Sequence, residues 1–219
     1  MNIKKIKDLF GKFSKEYDKH MSESNHIKIQ KKIIDSFLSD INGNILDIAT
    51  GTGIIARYIK IKKKDLEVFG IDFSKEMISE AKQKSRIIKF RNADVHKIPY
   101  PSNYFDVVTC SYGFYWFKNI NKVLKEIKRI LKPKGNLLIL EEEFNKRSIP
   151  KPKFSKKRGY LLELANQENY TGVEFLKAII KKMGFVLLKE KRLLIDKDHD
   201  TIGIVFSNDK SWRKKHEHK

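Results

Sequence analysis

The chain has 219 residues, enough for one α/β domain with a full hydrophobic core. Hydrophobic residues make up 40% of it, which excludes a disordered chain, and no apolar run approaches the roughly 18 residues that cross a bilayer. The single cysteine, Cys110, excludes an internal disulfide framework and a multi-cysteine metal site, and the basic start lacks the apolar stretch of a signal peptide. These features predict a cytoplasmic protein that holds no metal.

The formal net charge of +20 has two interpretations. It is typical of a protein that binds nucleic acid or an anionic surface, and equally of a lysine-rich proteome with AT-rich codons. Only eight of the 47 basic residues are arginine, the side chain that reads bases and phosphates through a planar fork. Nucleic acid is therefore a possible partner, but the composition does not favour it.

Helices and strands alternate along most of the chain. Residues 1–40 are predicted to be helical, because apolar residues between Ile27 and Phe37 recur at helical spacing. Five strands are then expected at residues 44–49, 66–72, 87–94, 104–113 and 136–143, with helices between them. Ser74 is expected to cap the helix after the second strand.

The last third of the chain is less regular. A basic stretch with prolines, residues 145–158, is predicted to be a loop, and a helix is expected at 173–183. Residues 185–195 and 200–207 are predicted to be two further strands, and the last dozen residues a solvated tail. The alternation predicts an α/β fold with a Rossmann-like, doubly wound sheet of seven strands.

A glycine turn follows the first strand. Gly51 and Gly53 allow the backbone to pass close to a ligand, and ligands of such sheets bind beyond the carboxyl ends of the strands. Asp72 ends the second strand, where a carboxylate accepts hydrogen bonds from both ribose hydroxyls. This pattern fits a dinucleotide and an adenosyl ligand equally.

Asp47 favours one of the two ligands. A carboxylate inside the first strand would repel a pyrophosphate, whereas it suits a ligand that carries an ammonium group. Asp94, at the end of the third strand, is placed to accept from an adenine amine. The alternative is that Asp47 and Asp94 are turn or capping residues. The three acids together predict S-adenosylmethionine as the cofactor, with S-adenosylhomocysteine as its product.

Four stretches carry a resemblance to a known family: "NILDIATGTG", "VFGIDFSKEMISEAKQK", "FRNADVHKIPYPSNYFDVVTCSYG" and "VLKEIKRILKPKGNLLILE". In this order and spacing they resemble the class I S-adenosylmethionine-dependent methyltransferases of type 11, over roughly residues 40 to 145. The N-terminal "LFGKFSKEYD" is similar to the enzymes that C-methylate ubiquinone and menaquinone precursors. The resemblance implies three segments: an N-terminal helical lid at 1–40, the cofactor-binding methyltransferase domain at 41–206 and a basic tail at 207–219.

The resemblance also implies a set of cofactor-binding residues: Tyr17, Asp47, Ala49, Gly51, Thr52, Gly53, Asp72, Phe73, Met77, Ala93, Asp94, Val95 and Ser111. The residues between Asp47 and Gly53 would surround the methionine moiety, and Asp72 would hold the ribose. Phe73 and Met77 would flank the adenine.

The acceptor side is expected in "SYGFYWF", residues 111–117. Tyr112, Tyr115 and Trp116 would line an apolar pocket and present ring faces to the cationic methyl group, whereas Phe114 and Phe117 are expected in the core. Tyr112 and His96 are the candidate catalytic residues.

Several sequence features limit the choice of acceptor. The Asn-Pro-Pro-Tyr motif of amino-group methyltransferases is absent, and Cys110 is expected to be too buried for a nucleophile. Quinone enzymes typically have Phe-Gly-Leu-Arg-Asn where this chain has Tyr-Gly-Phe-Tyr-Trp. That Trp, like Gln30, is closer to carboxyl O-methyltransferases of the biotin-pathway type.

The sequence therefore predicts methyl transfer to a small molecule by direct in-line displacement. Two alternatives remain. One is an RNA or protein methyltransferase that uses the basic surface. The other, from a different class, is a dinucleotide-binding oxidoreductase, which the glycine spacing fits.

Overall fold

The computed structural model of the chain describes residues 8, 10–144, 172–196 and 199–209. The loop predicted at 145–158 and the tail beyond residue 209 lie outside the described residues. Within the described part, no helix is long and apolar enough to span a membrane.

Helices α1 (Tyr17–Glu23) and α2 (His26–Phe37) precede the sheet in the part of the chain that the structure describes. Asn25 separates them with a left-handed backbone, φ 61°. The apolar face of α2 packs on the sheet, where Ile33 and Ile34 are fully buried. A short 3-10 turn, Leu38–Asp40, leads into the first strand.

Seven strands form one sheet in the order β3-β2-β1-β4-β5-β7-β6, which confirms the predicted fold class. The strands are β1 (Asn44–Ile48), β2 (Glu67–Asp72), β3 (Lys89–Asn92), β4 (Phe105–Ser111), β5 (Leu131–Phe144), β6 (Val186–Asp196) and β7 (His199–Ser207). The connecting helices are α3 (Ile54–Lys62), α4 (Lys75–Lys84), α5 (Ile120–Ile130) and α6 (Gly172–Lys182). The strands from β1 to β5 are parallel, and β7 runs antiparallel to both its neighbours.

Both faces of the sheet are covered, which explains why the central strands are apolar throughout. On one face, residues of α2, α3 and α4 pack against β1 and β2. On the other face, α5 and α6 bury residues such as Leu124 and Ile180 against β4 and β5. Ser74 caps α4 as predicted, because its hydroxyl accepts a hydrogen bond from the Met77 amide at 3.2 Å.

Two strands, β3 and β5, differ most from their expected bounds. β3 is shorter at both ends than residues 87–94. β5 begins earlier, because Leu131 already pairs with Phe105 before a turn at Lys134, whose φ is 67°. Neither difference moves the point where the order of the strands reverses, between β1 and β4. The carboxyl ends of β1, β2 and β4 meet there, as a ligand site in such a sheet requires.

Candidate active site

Asp47 lies beneath the turn that follows β1. It is buried, at 2% exposure, and its two carboxylate oxygens accept hydrogen bonds from the hydroxyls of Thr50 (2.6 Å) and Thr109 (2.7 Å). Burial raises the pKa of Asp47 to about 6. The carboxylate thus joins β1, the turn and β4.

The turn after β1 depends on the backbone conformation of its two glycines. Gly51 and Gly53 have φ of 55° and 78°, which favour glycine. A Cβ on Gly53 would lie 2.5 Å from the ring of Phe90, so no larger residue fits there. The Gly51 amide donates to Asp72 Oδ2 at 2.9 Å, which ties the turn to the end of β2.

Asp72 is the second buried carboxylate of the site. Its Oδ1 accepts from the Ser74 amide at 2.9 Å, and burial raises its pKa to about 6. Tyr17, from α1, approaches it: burial and then the charge of Asp72 raise the pKa of this phenol. The Phe73 amide also favours the charged form of Asp72, and the carboxylate keeps acceptor capacity beyond these amides.

A cavity of about 290 Å³ opens above these groups. Most of the predicted site residues line it: Tyr17, Ala49, Gly51, Asp72, Phe73, Met77, Asp94, Val95, His96, Ser111, Tyr112 and Trp116. The others do not line it: Asp47, Thr52, Gly53, Ala93 and Tyr115. Residues predicted to bind the cofactor and residues predicted to bind the acceptor thus line the same cavity.

Four residues that sequence reasoning did not assign to the site also line the cavity: Phe10, Gly113, Phe117 and Lys118. Phe10 meets the ring of Trp116 edge-on, with centroids 5.2 Å apart. Phe117 was expected in the core; it is buried, at 9% exposure, yet it also reaches the cavity. The aromatic run 111–117 was the signal for Phe117, whereas Phe10 depends on how the N-terminal segment folds back.

The N-terminal segment is held in place by Asp18 of α1. Its carboxylate accepts a hydrogen bond from the Thr52 hydroxyl in the glycine turn. It also pairs with Arg57 of α3 at 2.8 Å and with Lys84 of α4 at 3.1 Å. Thr52 therefore faces the N-terminal segment, and the contact keeps Tyr17 at the cavity.

His96 lines the cavity but has no free nitrogen. Its Nδ1 lies 2.6 Å from Asp94 Oδ1, and its Nε2 contacts the Lys118 carbonyl. Partial burial opposes ionisation of Asp94, but hydrogen bonds from His96 outweigh it and lower the pKa of Asp94. Both ring nitrogens therefore face acceptor groups of the protein, and neither is left for a bound acceptor molecule. This arrangement does not favour His96 as a general base.

A tight turn after β4 forms the far side of the cavity. Tyr112 has a left-handed backbone, φ 55°, and its hydroxyl lies 2.6 Å from Thr201 Oγ1. Gln30 of α2 donates to Ser111 Oγ at 2.7 Å. Because the Tyr112 hydroxyl is engaged behind the cavity, the tyrosine presents its ring there.

Two other predicted residues of this region lie behind the cavity. The Tyr115 hydroxyl donates to the Glu142 carbonyl at 3.2 Å, which directs its ring away from the ligand space. Cys110 is fully buried, as expected, and burial raises the pKa of its thiol.

Comparison with known proteins decides between the two ligands that the glycine turn fits. Residues 46–139 match the family described as "Methyltransferase domain". The match spans less than half of the chain, and these residues resemble the class I S-adenosylmethionine-dependent methyltransferases. Together with the relatives described next, this match confirms the predicted cofactor, S-adenosylmethionine, and the resemblance to the quinone-biosynthesis enzymes.

Individual relatives of the methyltransferase domain include enzymes of quinone biosynthesis. A demethylmenaquinone methyltransferase from Thermotoga maritima is 35% identical over 136 residues, which cover 61% of this chain and 59% of that protein. A ubiquinone/menaquinone biosynthesis C-methyltransferase from Rickettsia prowazekii is 35% identical over 149 residues, which cover 62% and 60%. The chain thus matches about three fifths of the length of these relatives.

A solved structure confirms the fold. An S-adenosylmethionine-dependent methyltransferase from Aquifex aeolicus superposes with a TM-score of 0.65 at 19% identity, covering 88% of this chain and 97% of that one. This similarity covers more of the chain than the region that the methyltransferase family matches.

Proposed function

We propose that this protein transfers the methyl group of S-adenosylmethionine to a small-molecule acceptor by direct in-line displacement. One observation supports this most strongly. The acidic and glycine residues at the ends of β1 and β2 share a single cavity with the aromatic residues that follow β4. Donor and acceptor would therefore meet inside one enclosure, as displacement at a methyl carbon requires.

The residues on the cofactor side fit the proposed ligand. Asp72 accepts from the amides of Gly51 and Ser74, and the remaining acceptor capacity of its carboxylate would serve the ribose hydroxyls. Phe73, Met77 and Val95 offer an apolar slot for the adenine. S-adenosylmethionine, when bound, supplies an electrophilic methyl group on a sulfonium.

Asp47 would act on the ligand through its charge, since both of its oxygens are engaged by threonine hydroxyls. A buried carboxylate favours a cationic ligand over a pyrophosphate, because burial reduces the screening of its charge. Thr52, Gly53 and Ala93 would likewise shape the site from behind the cavity.

We propose a planar, largely apolar acceptor. The cavity is lined by four aromatic side chains whose ring faces and edges suit a flat molecule: Phe10, Tyr112, Trp116 and Phe117. The relatives described above are named as methyltransferases for demethylmenaquinone and for ubiquinone/menaquinone biosynthesis, which supports an aromatic acceptor. The residues Tyr112–Trp116, which differ from the typical quinone pattern, would determine which ring compound fits.

The lid and its closure are part of the same proposal. Residues 1–40 would cover the ligands and exclude water, which competes for the methyl group. The Asp18 contacts and the cavity-facing rings of Phe10 and Tyr17 support this. We also propose that the reaction occurs in the cytoplasm.

Calorimetric titration tests the cofactor half of the proposal. The purified protein is titrated with S-adenosylmethionine, S-adenosylhomocysteine and NAD, beside the variants Asp72→Ala and Asp106→Ala. We expect micromolar binding of the two sulfur ligands, no binding of NAD and a loss of at least tenfold in Asp72→Ala only. Asp106 is the matched control because it pairs with Lys132 at 2.8 Å, away from the cavity.

A panel of acceptors tests the other half. Soluble naphthoquinols, aromatic carboxylates and a bulk RNA preparation are incubated with methyl-labelled cofactor. We expect label in a ring compound and a higher KM for it in Trp116→Ala. Labelled RNA with no labelled small molecule would overturn the proposal, and so would binding of NAD alone.

A further inference from the structure

Glu141 is a buried acid with no assigned role. It lies near the end of β5, between Leu140 and Glu142, and is fully buried. The next two acids of the strand have cationic or ionisable partners, since Glu142 contacts His26 and Glu143 pairs with Arg192. Within the described residues, Glu141 has no such ion pair. Because an unpaired buried carboxyl group is costly, its presence needs an explanation.

The partners of Glu141 belong to the turn after β4. Its Oε1 accepts a hydrogen bond from the Phe114 amide at 2.8 Å, and the Gly113 amide also favours its charged form. Its Oε2 is buried and makes no hydrogen bond to any described residue. Glu141 therefore holds the backbone of this turn.

That turn is the side of the cavity which we assign to the acceptor. We call Ser111, Tyr112, Gly113, Trp116 and Phe117 the acceptor wall; all five line the cavity.

The backbone of the acceptor wall has little conformational freedom directly after β4. The left-handed φ of 55° at Tyr112 is uncommon for a large residue. A Cβ on Gly113 would lie 2.6 Å from Cys110 Sγ. Hydrogen bonds to the rest of the protein stabilise such a backbone, and Glu141 of β5 accepts one of them from the Phe114 amide.

We propose that Glu141 is a positioning residue that fixes the acceptor wall through the amides of Gly113 and Phe114. It reaches neither ligand directly, since it does not line the cavity. The assignment of this wall to the acceptor rests on the proposed function, whereas the control of its conformation by Glu141 does not.

The charge of Glu141 determines how firmly it holds the turn. The carboxylate accepts a charge-assisted hydrogen bond from the Phe114 amide, and the Gly113 amide also favours its charged form, whereas the neutral acid is a weaker acceptor for both amides. Burial, and then the charge of Glu142, raises the pKa of Glu141 to about 8. The other titratable groups beside it are Cys110 and Tyr112, and burial raises the pKa of both above their ordinary values. Glu141 is thus the group expected to change charge near pH 8.

The fluorescence of Trp116 reports on the acceptor wall without any ligand. The chain contains two tryptophans, Trp116 and Trp212, so Trp212→Phe leaves one reporter. In this background, the emission maximum and acrylamide quenching are measured from pH 6 to 9.5. We expect a single transition near pH 8. In Glu141→Gln, which is neutral and still accepts one amide, the emission should stay at its low-pH value throughout.

Glu142→Gln is the matched control. It removes the neighbouring negative charge, so the transition should persist and shift to lower pH. A transition that is unchanged in Glu141→Gln would overturn the proposal, and so would a flat profile in the parent protein. Because this readout needs no cofactor, it is separate from the titration with S-adenosylmethionine: failure to bind that ligand would overturn the proposed function and leave the role of Glu141 standing.

Discussion

Asp18 of α1 accepts a hydrogen bond from the hydroxyl of Thr52, which lies between the two glycines of the turn after β1. One contact thus joins the N-terminal segment to the loop that we propose for the cofactor. Arg57 and Lys84 neutralise the same carboxylate from α3 and α4. The position of Tyr17, the neighbour of Asp18 and a cavity residue, therefore depends on side chains outside the cavity.

Removal of the Asp18 carboxylate should weaken cofactor binding. Asp18→Ala loses a charge-assisted hydrogen bond and two ion pairs, and we expect the Kd for S-adenosylhomocysteine to rise about five- to tenfold, roughly 1–1.4 kcal/mol. Calorimetry measures this at low salt. Asp35→Ala is the control, because Asp35 contacts Lys62 and Tyr58 on the outer surface. An equal loss in both variants would point to general destabilisation.

Cofactor affinity should depend on pH through Asp72. Burial raises its pKa to about 6 in the free protein, and the hydroxyls of a ribose bind to the carboxylate, not to the acid. Binding therefore releases a proton at low pH. We expect the Kd to rise by up to about tenfold for each pH unit below 6 and to be flat between pH 7 and 7.5. Titrations in buffers of different ionisation enthalpy measure the released proton.

Asp72→Asn gives the matching control. It should bind weakly and lose most of this pH dependence, with the remainder arising from Asp47. Micromolar binding by the parent protein that does not change between pH 5 and 7 would show that Asp72 ionises normally in the folded chain.

Local sequence patterns predicted the cofactor side of the site because its key groups are fixed by their neighbours in the chain. Asp72 ends a strand, and Ser74 caps the helix two residues later, so one short stretch places both. Asp47 was harder to interpret. Its partner Thr109 is 62 residues away, and this distant hydroxyl helps to hold the carboxylate beneath the turn.

The acceptor side was less predictable because its contacts join residues that are distant in the sequence. Glu141 begins a run of three acids, which is typical of a strand leaving the core, yet the Phe114 amide, supplied by another element, makes its full burial possible. Phe10 reaches the cavity through a contact distant in sequence, in which its ring meets that of Trp116. Neither contact leaves a periodic or spacing signal in the chain.

Gly113→Ala should destabilise the protein by a steric clash alone. The φ of Gly113 is −108°, which alanine adopts freely, but the new Cβ would lie 2.6 Å from Cys110 Sγ and 3.0 Å from the Ala49 Cβ. We expect a loss of about 1–3 kcal/mol in the free energy of unfolding, measured in urea. Cys110→Ala removes the sulfur, so the double variant should lose less than the sum of the two single changes. Strictly additive losses would mean that the turn moves away from β4.

Glu141 should make the stability of the protein fall with rising pH. Its pKa is about 8 when folded and near the ordinary 4.5 when unfolded, so the folded state binds the proton more tightly. Stability is therefore highest below the unfolded value and declines as pH rises through the window between the two. Glu141→Gln does not ionise, and we expect its stability relative to the parent to improve by roughly 4 kcal/mol between pH 5 and pH 9. Urea unfolding at four pH values measures this difference. A constant difference across the range would mean that Glu141 ionises alike in both states.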